Sequence, residues 1–163
     1  MKYKMNYDNK MVLLNNLQLE TFMNQFERKY SDFKFLGCFP INFEEFKYYR
    51  IKNKNFKKLI QEGKTKIGFI INQDKYQTHG TYWTSIYIDF LKGSCHFFDP
   101  YNPKPKKEIT NLFEMIIQFM HQEYHKEIKT YINDYECQDN KLSSGILVLT
   151  FFEKFLNQDK NSL

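Results

Sequence analysis

Little in this chain suits a cross-linked or membrane-bound protein. Of its 163 residues only Cys38, Cys95 and Cys137 are cysteine, an odd set, widely spaced and without a CxxC pair. That excludes a disulfide framework or a zinc knuckle as the source of stability, and points to a reducing, intracellular compartment. No apolar run approaches the ~18 residues a membrane span needs, and the opening MKYKMNYDNK has no signal-peptide core. A soluble protein with no membrane partner is expected. Six glycines and four prolines form no low-complexity tract, and no internal repeat is present. Charge of one sign is barely in excess: a formal +5 reads as a solvated basic surface more readily than as a nucleic-acid footprint.

What the chain does have is aromatic mass. Seventeen phenylalanines and twelve tyrosines supply a core that needs no staples. One domain over residues 1–163 is expected, a helical segment over 1–32 followed by a core over 33–157. A chain this long buries roughly two thirds of its unfolded surface.

The organising stretch is Ile67–Pro100, IGFIINQDKYQTHGTYWTSIYIDFLKGSCHFFDP. Gly68–Asn72 reads as a short strand. Tyr82–Phe90 alternates, with Tyr82, Thr84, Ile86, Ile88 and Phe90 on one face and Trp83, Ser85, Tyr87 and Asp89 on the other. Lys92-Gly93 turns the chain back into a partner strand over Cys95–Phe98, ending at Asp99-Pro100. Tyr82 and Asp99 are thereby expected to meet at a sheet edge.

Around that centre, Asn16 is expected to cap a helix running to about Tyr30, with Leu17, Phe22 and Phe26 as apolar positions. The small apolar patch Met11–Leu14 is a candidate anchor for the N-terminus. Phe33–Phe46, interrupted by Gly37 and Pro40, reads as an ordered loop pinned by aromatics. Asn55–Gln61 suits a short helix ended by Gly63. Tyr101–Lys107 is a Pro- and Lys-rich turn. Lys107 to about Ile128 is the strongest helix, with Ile109, Leu112, Phe113, Ile116, Ile117 and Met120 forming one stripe. Thr130–Ile132 reads as a brief edge strand and Asn133–Leu142 as a polar loop. Ser143 or Ser144 caps a final helix to about Leu156, apolar nearly all round at its start and therefore buried. The order predicts an α+β domain.

Four segments, in this order, resemble the adenain-like and SUMO-protease-like cysteine peptidases, most of all the maturation proteases of large DNA viruses, virophages and related transposons. They are FKFLGCFPINF (33–43), GFIINQDKYQTHGTYWTSIYID (68–89), FFDPYNPKP (97–105) and CQDNKLSSGILVLTFF (137–152). The resemblance implies a papain-like fold: a central mixed sheet flanked by helices, with a buried C-terminal helix starting at the nucleophile position. It also implies a chemistry. A cysteine at a helix N-terminus is favoured as thiolate, a histidine opening a strand takes its proton, an Asp or Asn ending the next strand orients the imidazole, and a Gln lines the oxyanion hole. Carried over, the orienting acid is Asp99, the oxyanion glutamine Gln138, and the supporting residues Trp83 and Gly145.

Two positions depart from the family pattern. Tyr82 stands where the family has its histidine, and Ser144 where it has its cysteine. A hydroxyl needs a neighbouring base far more than a thiol does, and a tyrosine with an ordinary pKa of about 10 is a proton donor at neutral pH. The expectation is a protease fold without protease activity, its groove kept as a binding or structural module. Expected partners are an extended peptide or protein segment, such as a capsid or virion protein, or an active paralogue; the setting is an infected cell or virion. The rival reading is an active cysteine- or serine-type peptidase with a rearranged base, for which His79, three residues before Tyr82, is the candidate. Against it, aligned Gly80 and Trp83 leave no gap to absorb a register shift. A serine introduced by design to trap a complex would account for Ser144 but not Tyr82.

Other candidates are weaker. His121 and His125 are four apart on one helix, but HQEYH is not HExxH and no third ligand is evident; no metal or cofactor is expected. Cys137 belongs to a loop and reads as a spectator thiol. Lysines at 52–58 and 104–107 suit phosphate, and adenovirus-type proteases use DNA as a cofactor, so a nucleic-acid-binding domain is a third reading.

Overall fold

The computed structural model describes residues 13–51, 54–73, 82–134 and 143–158. Its elements are α1 (Asn16–Lys29), β1 (Phe33–Pro40), α2 (Phe56–Gln61), β2 (Lys66–Asn72), β3 (Trp83–Asp89), β4 (Ser94–Phe98), α3 (Lys107–Tyr124), β5 (Lys129–Ile132) and α4 (Ser144–Gln158). The expected α+β architecture is present. The strands form one five-stranded mixed sheet in chain order, with β1∥β2 and β4∥β5 parallel and the two central pairings antiparallel.

Both faces of the sheet are covered, which is why the central strands carry apolar residues on both sides of the pleat. On one face Ile67, Phe69, Ile71, Ile86, Ile88 and Phe97 meet Phe56 of α2 and the stripe Ile109, Leu112, Phe113, Ile116 and Met120 of α3. On the other, Phe33, Ile70, Trp83, Tyr87 and Phe98 meet Leu19, Met23 and Phe26 of α1 and Val148, Phe152 and Leu156 of α4. The alternation read along β3 is therefore the division between two aromatic layers. No helix among the described residues is long and apolar enough to cross a membrane.

Several sequence expectations are corrected. Phe33–Pro40 is a strand at the sheet edge, not a loop. Gly37, at φ +123°, accommodates a shift in the β1–β2 register between Phe35 and Cys38, and Pro40 falls at the strand's last residue, where a missing N–H is tolerated. The cap of α1 is Asn15, one residue earlier than expected: its side chain accepts from Gln18 N while Gln18 Oε1 accepts from Asn15 N, each at 2.9 Å. Leu17 is consequently turned outward, and Leu19 and Met23 take the buried positions. Helix α3 ends four residues early, because His125 adopts the left-handed conformation (φ 51°) and closes the last turn. Ile117 lies off the buried stripe and is 40% exposed.

Candidate functional site

The corner is assembled from the ends of the two central strands and the start of α4. β3 and β4 pair with Ser85 opposite Phe98, so their extensions carry Tyr82 toward Tyr101, and the two rings lie 5.6 Å apart. Tyr82 is fixed from the other side as well, its carbonyl accepting the N–H of Gln73 at 2.9 Å. The meeting of Tyr82 and Asp99 is as expected, though at the ends of interior strands and not at a lateral edge of the sheet.

Asp99 follows β4 directly and is 4% exposed. Its Oδ1 accepts the backbone N–H groups of Tyr101 (3.0 Å) and Asn102 (2.9 Å), an Asx turn that bends the chain before Pro103. The same oxygen accepts the hydroxyl of Tyr82. Burial, the hydrogen bond to Asp99 and its negative charge all push the Tyr82 phenol well above its ordinary range. Tyr82 is a firmly protonated donor whose acceptor is the carboxylate.

Asn133, just after β5, clamps the main chain of Asp99 twice: its Oδ1 accepts from Asp99 N at 2.9 Å and its Nδ2 donates to Asp99 O at 2.8 Å. Nothing in the sequence singled Asn133 out, since it was one residue of a polar loop. It also borders a groove of about 290 Å³ between β5 and α4, whose walls include His96, Tyr131, Phe151 and Phe155. His96 stacks on Tyr131 at 4.7 Å, and burial lowers its pKa.

Ser143 is the helix cap, its Oγ accepting from Ile146 N at 3.4 Å and its carbonyl from Leu147 N at 3.1 Å. Ser144 is the first helical residue and is 2% exposed. Its Oγ accepts the backbone N–H of Trp83 at 2.9 Å, tying α4 to the first residue of β3 across 61 positions of sequence. Gly145 lies against both Trp83 and Leu14.

Tyr82, Trp83, Asp99, Ser144 and Gly145 are thus brought together. Gln138, His79 and Cys137 lie outside the described residues. His121 is exposed on α3 and His125 is exposed at the left-handed residue that ends it, and among the described residues no group of three His, Cys, Asp or Glu is placed to hold a metal. Several of the phosphate-suited lysines are engaged locally: Lys57 pairs with Glu123, Lys58 with Glu62, and Lys106 Nζ donates to Gln73 O.

A mixed five-stranded sheet between two pairs of helices, with a buried helix starting against the first residue of a central strand, is the fold of the adenain-like and SUMO-protease-like cysteine peptidases. The comparisons support that fold. No model of a protein family matches the sequence. A protein of Acanthamoeba polyphaga mimivirus whose name gives it as a candidate thiol protease is 26% identical over 144 residues, 88% of this chain and 48% of that protein. The crystal structure of the ASFV protease superposes with a TM-score of 0.75 at 20% identity, over 92% of this chain and 60% of that one. The C-terminal Ulp1 protease domain, in complex with Smt3, the yeast orthologue of SUMO, superposes with a TM-score of 0.67 at 18% identity, over 90% of this chain and 66% of that one. The chain spans about half the length of the mimivirus relative.

Proposed function

We propose that this chain is a protease fold that binds an extended protein segment at its former cleavage corner and does not cut it. The observation that carries the reading is the hydrogen bond from the Tyr82 hydroxyl to Asp99. In a nucleophile–base–acid unit the acid orients an imidazole so that it can take the nucleophile's proton. Here the carboxylate at that place receives a phenol, held protonated by its burial and by the same contact. A residue that is itself a donor cannot accept the Ser144 proton, and a hydroxyl lacks the residual ionisation of a thiol. Loss of the nucleophile or of the base alone costs about a million-fold in a well-studied serine protease, so both changes together leave no useful turnover.

The likeness to a protease domain solved with a bound protein supports a protein partner. The former substrate groove would grip an extended segment by main-chain pairing, as expected of such peptidases. A capsid or virion protein, or an active relative of this chain, is the proposed occupant.

The test is restoration. Wild-type protein should leave Gly-Gly-type fluorogenic peptides intact. Tyr82→His together with Ser144→Cys should gain hydrolysis, while each single variant stays silent. Wild-type cleavage that vanishes in Ser144→Ala would overturn the reading and return the role of base to His79.

A further inference from the structure

Trp83, the chain's only tryptophan, uses both of its N–H groups at the corner. Its backbone N–H goes to Ser144 Oγ, and its indole N–H donates to the carbonyl of Leu14 at 3.0 Å, 69 positions away in sequence. The Leu14 side chain rests on Gly145, so closely that a Cβ added there would come within 3.1 Å of Leu14 Cβ and 3.4 Å of its Cδ1. Absence of a side chain at 145 is therefore what admits Leu14. One residue later the Asn15–Gln18 capping box starts α1, fixing the direction in which the segment leaves.

This is a light attachment. Among the described residues, Asn15 is bonded only to α1, and one neutral hydrogen bond and the half-buried Leu14, packed at the margin of the α1–α4 cluster, join the segment to β3 and α4; its neighbours Leu13 and Leu17 are 51% and 72% exposed. Segments held by few buried contacts open locally, well below the free energy of global unfolding. The β3 strand beneath, buried at every residue, has no such route.

We propose that Leu13–Asn15 is a releasable strap latched across the Ser144 end of α4, with the Trp83 indole as its catch. An extended segment approaching Ser144 and Gly145 has to displace it. That consequence rests on the binding role given to the corner above, whereas the strap and its release do not. The strap would hold the site closed until a partner competes for the Trp83 indole.

The sole indole N–H gives one resolvable NMR signal, so the unmodified chain can be tested by native-state hydrogen exchange across a series of low denaturant concentrations. The indole N–H should exchange through a local opening almost independent of denaturant, while the Ile86 amide exchanges only through global unfolding. Denaturant dependence of the indole equal to that of Ile86 would overturn the proposal, because the segment would then be a fixed part of the core. A second measurement reads access directly. In a Cys137→Ser background, with Cys38 and Cys95 buried, the thiol of Ser144→Cys should alkylate about tenfold faster when Leu14→Gly is added, the factor that corresponds to about 1.4 kcal/mol of lost closure. An unchanged rate in a variant that still melts cooperatively would mean that the strap does not guard the corner. Neither readout depends on whether the chain cuts or binds a peptide.

Discussion

At the scale of single residues, Ser144 and Tyr82 each make a hydrogen bond that holds the corner together. Ser144 Oγ accepts a buried backbone N–H, so Ser144→Ala should cost about 1–3 kcal/mol, the cost of leaving such a donor unsatisfied. Chemical denaturation of the two proteins measures it, and an unchanged midpoint would show that the N–H finds another acceptor. Tyr82 carries a pH signature. Its folded pKa is raised above the unfolded value of 10.0, so its contribution to stability is complete below about pH 10 and is lost as pH rises through the folded value. The unfolded chain releases this proton first, and stability falls. Wild-type protein should therefore lose stability more steeply than Tyr82→Phe above about pH 10. Parallel curves for the two proteins would refute the contact with Asp99.

At the scale of elements, the contact between sheet and helix is set by a gap as much as by bulk. Phe33 of β1 and Phe152 of α4 close over Gly68 of β2, their ring centroids 6.1 Å apart. A Cβ at Gly68 would lie 2.6 Å from Phe152 Cε1 and 2.8 Å from the Phe33 ring. Gly68→Ala should cost about 1–3 kcal/mol by overpacking, and Phe152→Leu in the same chain should recover part of it. A double-mutant cycle from urea unfolding provides the coupling; strictly additive losses would place the clash elsewhere. The same layer accounts for a strand over Phe33–Pro40 within the stretch Phe33–Phe46 whose pattern predicts a loop. Glycine and proline break a strand pattern on paper, yet at a register shift and at a strand's last residue they interrupt nothing.

For the whole molecule, the division into an N-terminal helical segment and a core is one of sequence only. Leu19, Met23 and Phe26 of α1 belong to the same buried cluster as α4 and the inner face of β3. A chain beginning at Phe33 should lose its cooperative thermal transition and bind a hydrophobic dye, as expected when one cover of a sheet is stripped away. A sharp transition in that fragment would mean that the sheet and the other three helices suffice. The corner shares this dependence, since its parts come from Leu14, Trp83, Asp99, Asn133 and Ser144. Function at such a site cannot be separated from the integrity of both layers.

The sequence by itself determined the apolar runs and the helical stripe, and through them the order of every element but β1, whose strand its glycine and proline concealed. It also carries a resemblance that implies a phenol, Tyr82, and a hydroxyl, Ser144, at the positions where such peptidases have an imidazole and a thiol, the basis of the proposed binding role. Those are matters of local pattern and residue chemistry, legible one segment at a time. Only the tertiary structure decided what each group does: that Asp99 receives the Tyr82 hydroxyl, that Ser144 holds Trp83, that Asn133 clamps Asp99, and that Leu14 lies over Gly145. Those contacts join residues 17 to 131 positions apart, and a hydrogen bond across such a distance depends on packing that leaves no periodicity in the chain.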